Sequence, residues 1–130
     1  MIRNLFLGLG LLCVAAEASA QSMFPMQDTG VTFTDKRGVM LTVVNPYSRA
    51  ETFHMEAFQP DLLTPESGVT IRPSTMTLGS NSTRRVRVVF DVPPTEEREI
   101  AVCMRLEVSE EAQIVPRVCG RYAGRRFSKR

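Results

Sequence analysis

Beyond residue 30, apolar and polar positions alternate one for one in several short runs, the period of β-strands that bury one face. Residues 84–90 show this most cleanly, with Val86, Val88 and Phe90 on one side and Arg85 and Arg87 on the other. A run over 52–58 places Phe53, Met55 and Ala57 on one face. Shorter β-rich runs occupy 31–34, 39–44 and 69–72, and 75–78 adds an extended segment. Turn chemistry separates them: Asp35-Lys36-Arg37-Gly38, Asn45-Pro46-Tyr47-Ser48, a loop carrying Pro65 and Gly68, Gly79-Ser80-Asn81-Ser82, and Pro93-Pro94. Residues 21–30, punctuated by Pro25 and Gly30, read as an irregular lead-in. After the first 20 residues, no segment sustains a 3.6-residue apolar period. About seven short strands at turn spacing predict an all-β, immunoglobulin-like β-sandwich.

The last third reads as a hairpin. Residues 100–108 and 114–122 both alternate, and the polar run Ser109-Glu110-Glu111-Ala112-Gln113 lies between them. Folding the chain about Glu111 sets Cys103 opposite Cys119. The same register sets Val102 opposite Gly120, Met104 opposite Val118, Leu106 opposite Pro116 and Val108 opposite Ile114. Those residues share one apolar face, while the cysteines fall on the other with Arg105, Glu107, Arg117 and Arg121. Cysteine symmetry and alternation therefore select one register. Antibody-type domains differ, since here the cysteines staple neighbouring strands and the chain has no Trp.

The N-terminus supplies an oxidising destination for those cysteines. Met1-Ile2-Arg3-Asn4 is a short basic region, residues 5–16 are apolar, and Ala18-Ser19-Ala20 is an A-x-A cleavage site. Residues 1–20 are expected to be a cleaved signal peptide that directs the protein to the periplasm. Leu12 before Cys13 does not fit a lipoprotein signal, which takes a small residue there. Cleavage leaves Cys103 and Cys119 as the only cysteines, so a disulfide has one connectivity; the alternative is two buried thiols. No neighbouring His or third thiol completes a metal site. The bond would contribute about 3 kcal/mol in the chain-entropy model, a large share of the ~5–15 kcal/mol of a small domain.

Composition adds little beyond that. Residues 21–123 make one domain, and 124–130 a basic tail. The net charge is +2, and no acidic residue follows Arg117 in a stretch with five Arg and one Lys. That stretch reads as a solubilising tail, a contact with an anionic membrane surface, or a clamp on an acidic partner. The overall balance does not indicate nucleic-acid binding. Arg84, Arg85 and Arg87 with Arg72 read either as a cationic stripe or as an ordinary solvated strand face. His54 is the one histidine, and it points away from Met55 within a strand. Met23 and Met26 would suit Cu(I) but read better as core filler. Nothing marks an oxyanion site or nucleophile elbow, so neither an enzyme nor a cofactor is expected.

The order of these segments carries a family resemblance. Gly38-Val39-Met40-Leu41-Thr42-Val43-Val44-Asn45, then Val69-Thr70-Ile71-Arg72-Pro73, then Val86-Arg87-Val88, then Pro93-Pro94-Thr95-Glu96-Glu97-Arg98-Glu99 and a closing hairpin resemble the N-terminal domain of periplasmic pilus chaperones of the chaperone–usher pathway. The resemblance covers about residues 31–122, the first of that family's two immunoglobulin-like domains. It implies an immunoglobulin-like fold and a non-catalytic role in assembling surface fibres. In the family, the last strand of this domain lends alternating apolar side chains to an incomplete pilin-like subunit, a form of β-augmentation. The matching set here is Ile114, Pro116, Val118 and Tyr122, with Gly120 leaving a gap. The family also anchors a subunit's terminal carboxylate with two basic residues; the first position is Thr29 here, which carries no charge to do so, and Arg121 is the candidate for the second. Pro116 removes one backbone donor, expected on the free edge of the lent strand. A structural or accessory subunit of a cell-envelope or pilus complex is the alternative role.

Overall fold

Two sheets pack face to face because strand after strand buries every second side chain. The computed structural model describes residues 22–109, 111 and 113–127. The expected signal peptide and the end of the basic tail (128–130) lie outside them. Among the described residues there are nine strands: β1 (Ser22–Phe24), β2 (Gln27–Thr32), β3 (Lys36–Val44), β4 (Glu51–Phe58), β5 (Val69–Arg72), β6 (Thr75–Leu78), β7 (Thr83–Asp91), β8 (Arg98–Leu106) and β9 (Arg117–Arg126). One sheet runs β1-β3-β7-β5 and the other β2-β9-β8-β4-β6. The immunoglobulin-like sandwich is therefore as the alternation predicts.

Nine strands rather than seven arise at two places, 75–78 and the lead-in, where β2 ends at Thr32 and takes the place of the run expected at 31–34. The segment 75–78 is a full strand, paired with β4 from Glu51↔Leu78 to His54↔Thr75. The expected irregular lead-in is instead two strands in different sheets. β1 pairs antiparallel with β3, and β2 pairs parallel with β9. The chain changes sheets at the cis Phe24–Pro25 bond. Neither strand alternates clearly in sequence; their partners supply the pairing.

The core follows the sequence pattern elsewhere. Leu41, Val43, Val86, Val88 and Phe90 from the first sheet meet Phe53, Ile100, Val102, Met104 and Tyr122 from the second, all fully buried. Burying a side chain of that size contributes roughly 1.5–3 kcal/mol. Met23, at 2 % exposure, belongs to this core. Among the described residues the one buried polar residue is Asn45, just after β3. Its Oδ1 accepts from the Tyr47 amide at 3.0 Å, while its Nδ2 donates to the Leu78 and Gly79 carbonyls at 2.9 and 3.1 Å. One amide thus ties the β3–β4 turn to the β6–β7 turn. Arg98 does similar work at the other end: it donates to the Asp91 and Ser67 carbonyls, both at 2.8 Å, and pairs with Glu66 at 3.1 Å.

Candidate functional site

The hairpin of β8 and β9 forms in the register the cysteines select. Val102 lies opposite Gly120, Cys103 opposite Cys119 and Met104 opposite Val118. Cys103 and Cys119 form a disulfide, with Cα atoms 4.0 Å apart. That spacing belongs to a non-hydrogen-bonded antiparallel pair, where opposite side chains lie closest.

The hairpin is shorter on its return arm than the alternation predicts. β9 begins at Arg117, so Ile114 and Pro116 precede it. The cause is Pro116. The Leu106 amide donates to the Pro116 carbonyl at 3.3 Å, so the backbone of residue 116 faces β8. A strand residue points both its polar groups to the same side, and proline has no N–H to return the bond. The missing donor therefore faces β8, not the free edge. The ladder stops there.

Backbone alternation then fixes what the other side of β9 offers. The Arg121 amide donates to the Met26 carbonyl at 2.9 Å, so residue 121 faces β2. Arg117 and Cys119, two and four residues earlier, point the same way. β2, however, pairs only from Gln27↔Arg121 to Thr32↔Arg126. Among the described residues, no strand covers the side of β9 that faces away from β8 between Arg117 and Gly120. That stretch is an open sheet edge, and immediately before it Ile114 is 80 % exposed and Val115 is 46 % exposed. An open edge beside exposed apolar side chains is suited to pairing with another strand.

Three contacts hold the edge in place. The disulfide joins it to β8. The Arg117 guanidinium lies 5.3 Å from the Phe58 ring centroid, spanning to β4 on the outer face. The Tyr122 hydroxyl donates to the Pro25 carbonyl at 2.6 Å, fastening the covered half of β9 to the point where the first strand changes sheets. Burial, and secondarily the Asp28 carboxylate, push the Tyr122 phenol well above its ordinary value.

The expected lent set is thus divided. Val118 lies on β9 with a partly exposed side chain, and Ile114 and Pro116 are exposed ahead of it. Tyr122 is fully buried in this domain's own core, under the stretch β2 covers. The expected gap at Gly120 is filled. A Cβ built there would collide with the Tyr122 hydroxyl and lie 2.9 Å from the Met26 carbonyl oxygen. The phenol lies back over the glycine, which leaves room for a large buried residue two positions later.

Arg121 and Thr29 lie close together. They line one depression of about 210 Å³ with Gln27, Glu97, Glu99, Tyr122 and Ala123. Arg121 is already paired there with Glu99 at 3.3 Å, both side chains about half exposed. The boundary drawn at residue 124 falls inside β9, which continues to Arg126. Arg125 and Arg126 are therefore sheet residues rather than tail, and the Arg126 Nε donates to the Val92 carbonyl at 2.9 Å. His54 shares a hydrogen bond with Thr75 at 3.1 Å and lies 3.8 Å from Glu107. Met23 and Met55 are core residues, buried away from it as filler.

Sequence reasoning missed β2 and with it the cover over half of β9. Gly30 and Gly124 are directly opposite in that parallel pairing, and Arg37 lies across both. Two glycines at matching places beside one inward arginine were the available signal.

No family model and no curated protein matches the chain in sequence. Solved structures do match it in shape. The Escherichia coli chaperone DraB is similar with a TM-score of 0.67 and 19% identity, covering 82% of this chain and 55% of its own. The Salmonella enterica SafB chaperone, in complex with the SafA pilin, is similar with a TM-score of 0.69 and 18% identity, over 86% of this chain and 57% of that one. An ASH / PapD-like domain of human CEP192 is similar with a TM-score of 0.64 and 10% identity, over 85% of this chain and 87% of that one. The chain therefore has the PapD-like immunoglobulin-like fold, and it spans a little over half the length of those two chaperone chains.

Proposed function

We propose that this chain is a periplasmic, non-catalytic protein-binding domain that assists assembly of surface fibre subunits by strand donation. The observation that carries this reading is the open edge of β9 between Arg117 and Gly120. Its outward backbone groups, at Arg117 and Cys119, are the hydrogen-bonding partners an incoming strand requires. Exposed Ile114 and Pro116, with Val118, extend the apolar face such a strand would share. The placement of Pro116 supports the reading, because its missing donor weakens the ladder to β8 and leaves the outward side intact. The similar solved chaperones, one of them in complex with a pilin, support the same class of partner.

Within this reading a subunit's terminal carboxylate reaches Arg121 by exchange with Glu99. An exposed ion pair of that kind contributes only about 0.2–1 kcal/mol, so the exchange is not costly. The test is binding to a pilin-like subunit that lacks its completing strand. Wild-type protein is expected to bind it, and the double variant Ile114→Asp, Val118→Asp to fold without binding. Equal binding by both would refute strand donation.

A second reading follows from the PapD-like fold itself, which this chain also shares with a domain of human CEP192 over 87% of that domain. A structural or accessory subunit of an envelope complex would remain in a large assembly on gentle extraction. A chaperone gives transient one-to-one pairs with fibre subunits.

A further inference from the structure

The outer face of the β1-β3-β7-β5 sheet carries charge that the fold leaves unneutralised. Residues directly opposite one another across the strands form rungs on that face. Thr70, Val89 and Gly38 make one rung, and Arg72, Arg87 and Met40 the next. Arg85, Thr42 and Phe24 make a third. Arg72, Arg85 and Arg87 are exposed, and none takes part in the ion pairs found among the described residues.

The opposite sheet handles its arginines differently. On its outer face Arg105 meets Glu56 at 2.8 Å and Arg121 meets Glu99 at 3.3 Å. On the first sheet the cross-strand partner of Arg87 is another arginine, Arg72. Like charges directly opposite destabilise a ladder, so this pair works against the fold unless an anion sits between them.

Space for that anion is present. Thr70, Arg72, Arg87 and Val89 line a depression of about 200 Å³. We propose that Arg72 and Arg87, with the Thr70 hydroxyl, form a binding site for a phosphate-type oxyanion, whether inorganic phosphate or the phosphate of a lipid headgroup. Two guanidinium forks present paired donors to tetrahedral oxygens, and the hydroxyl supplies a further donor. Phe24 and Met40, 51% and 47% exposed on the same face, give a headgroup-bound domain apolar contacts beside the charge. The site lies on the sheet that does not contain β9, so it stands whether or not strand donation does.

The experiment has two arms. In the first, inorganic phosphate is titrated against isotope-labelled protein at constant ionic strength, with chloride as the control ion. Saturable shifts at Thr70, Arg72 and Arg87 are expected. Arg72→Gln and Arg87→Gln should each weaken binding roughly tenfold or more, since each removes a charged hydrogen-bonding group. Arg84→Gln, an exposed arginine on the other side of β7, should leave it unchanged. In the second arm, the protein is sedimented with phosphatidylglycerol or phosphatidylcholine vesicles. Arg87-dependent capture by phosphatidylglycerol identifies a headgroup as the source; saturable phosphate binding without capture identifies free phosphate. Removing one of two like charges should not lower the melting temperature, so a folded R87Q protein is the expected reagent. The proposal is overturned if phosphate and chloride act alike and vesicle capture is absent or independent of Arg87. It is also overturned if both glutamine variants bind as wild type does.

Discussion

The hydroxyl of Tyr122 donates to the carbonyl of Pro25 at 2.6 Å and divides β9 into a covered half and an open half. From Arg121 onward, β2 occupies the outer side of the strand; before it, nothing among the described residues does. Tyr122→Phe keeps the ring in the core and deletes this bond, leaving the carbonyl unpaired. A loss of about 1–3 kcal/mol is expected in urea unfolding. Faster amide exchange at Arg121, whose donor meets Met26 on the same lead-in, should accompany it.

The raised phenol value of Tyr122 gives a pH dependence with a definite sign. The folded state holds this proton more tightly than the unfolded chain, whose tyrosine titrates at about 10. Its contribution is fully present below that value. Above it the unfolded state loses the proton first, so stability falls as pH rises, with a slope of at most one proton. Urea midpoints measured from pH 9 to 11 should decline more steeply for wild type than for Tyr122→Phe. Parallel curves would show that the phenol is not held in its neutral form.

Gly120→Ala should be costly for a residue at a sheet edge. Its new methyl group meets the Tyr122 hydroxyl and the Met26 carbonyl, so either the phenol leaves Pro25 or the lead-in moves. Overpacking of this kind costs about 1–3 kcal/mol. Combining it with Tyr122→Phe should cost less than the two single losses added, because both act on one contact. Thermal melts of the three variants measure this.

Reducing the Cys103–Cys119 bond, or replacing both residues with serine, should cost about 2–4 kcal/mol. The open edge should suffer more than the core, since the bond joins Cys119 to β8 just beyond the point where Pro116 ends the ladder. Urea midpoints with and without reductant give the first quantity, and amide exchange at Val118 the second.

Much of this arrangement could be read from the chain, and the limits have physical causes. The register of β8 and β9 was legible because cysteine spacing and period-2 alternation select it independently. The inward set Val86, Val88 and Phe90 was legible for the second reason alone. β1 and β2 were not, because residues 22–32 alternate weakly and take their strand form from β3 and β9. The parity of Tyr122 was correct, but its burial depends on β2 covering that half of the hairpin. The direction of the Pro116 vacancy also escaped, since a sequence does not say which side of a strand faces the neighbour. Arg98 could be placed beside the Pro93-Pro94 break, but its bonds to Ser67 and Asp91 depend on long-range packing.

Strand donation makes its most direct prediction at two backbone amides, those of Arg117 and Cys119. Hydrogen exchange at both should be measured in the free protein and in complex with a pilin-like subunit that lacks its completing strand. The predicted result is rapid exchange when free and strong protection when bound, with Val118 and Gly120, which face β8, changing far less. Subunit binding that leaves Arg117 and Cys119 exchanging at their free rates would contradict the account.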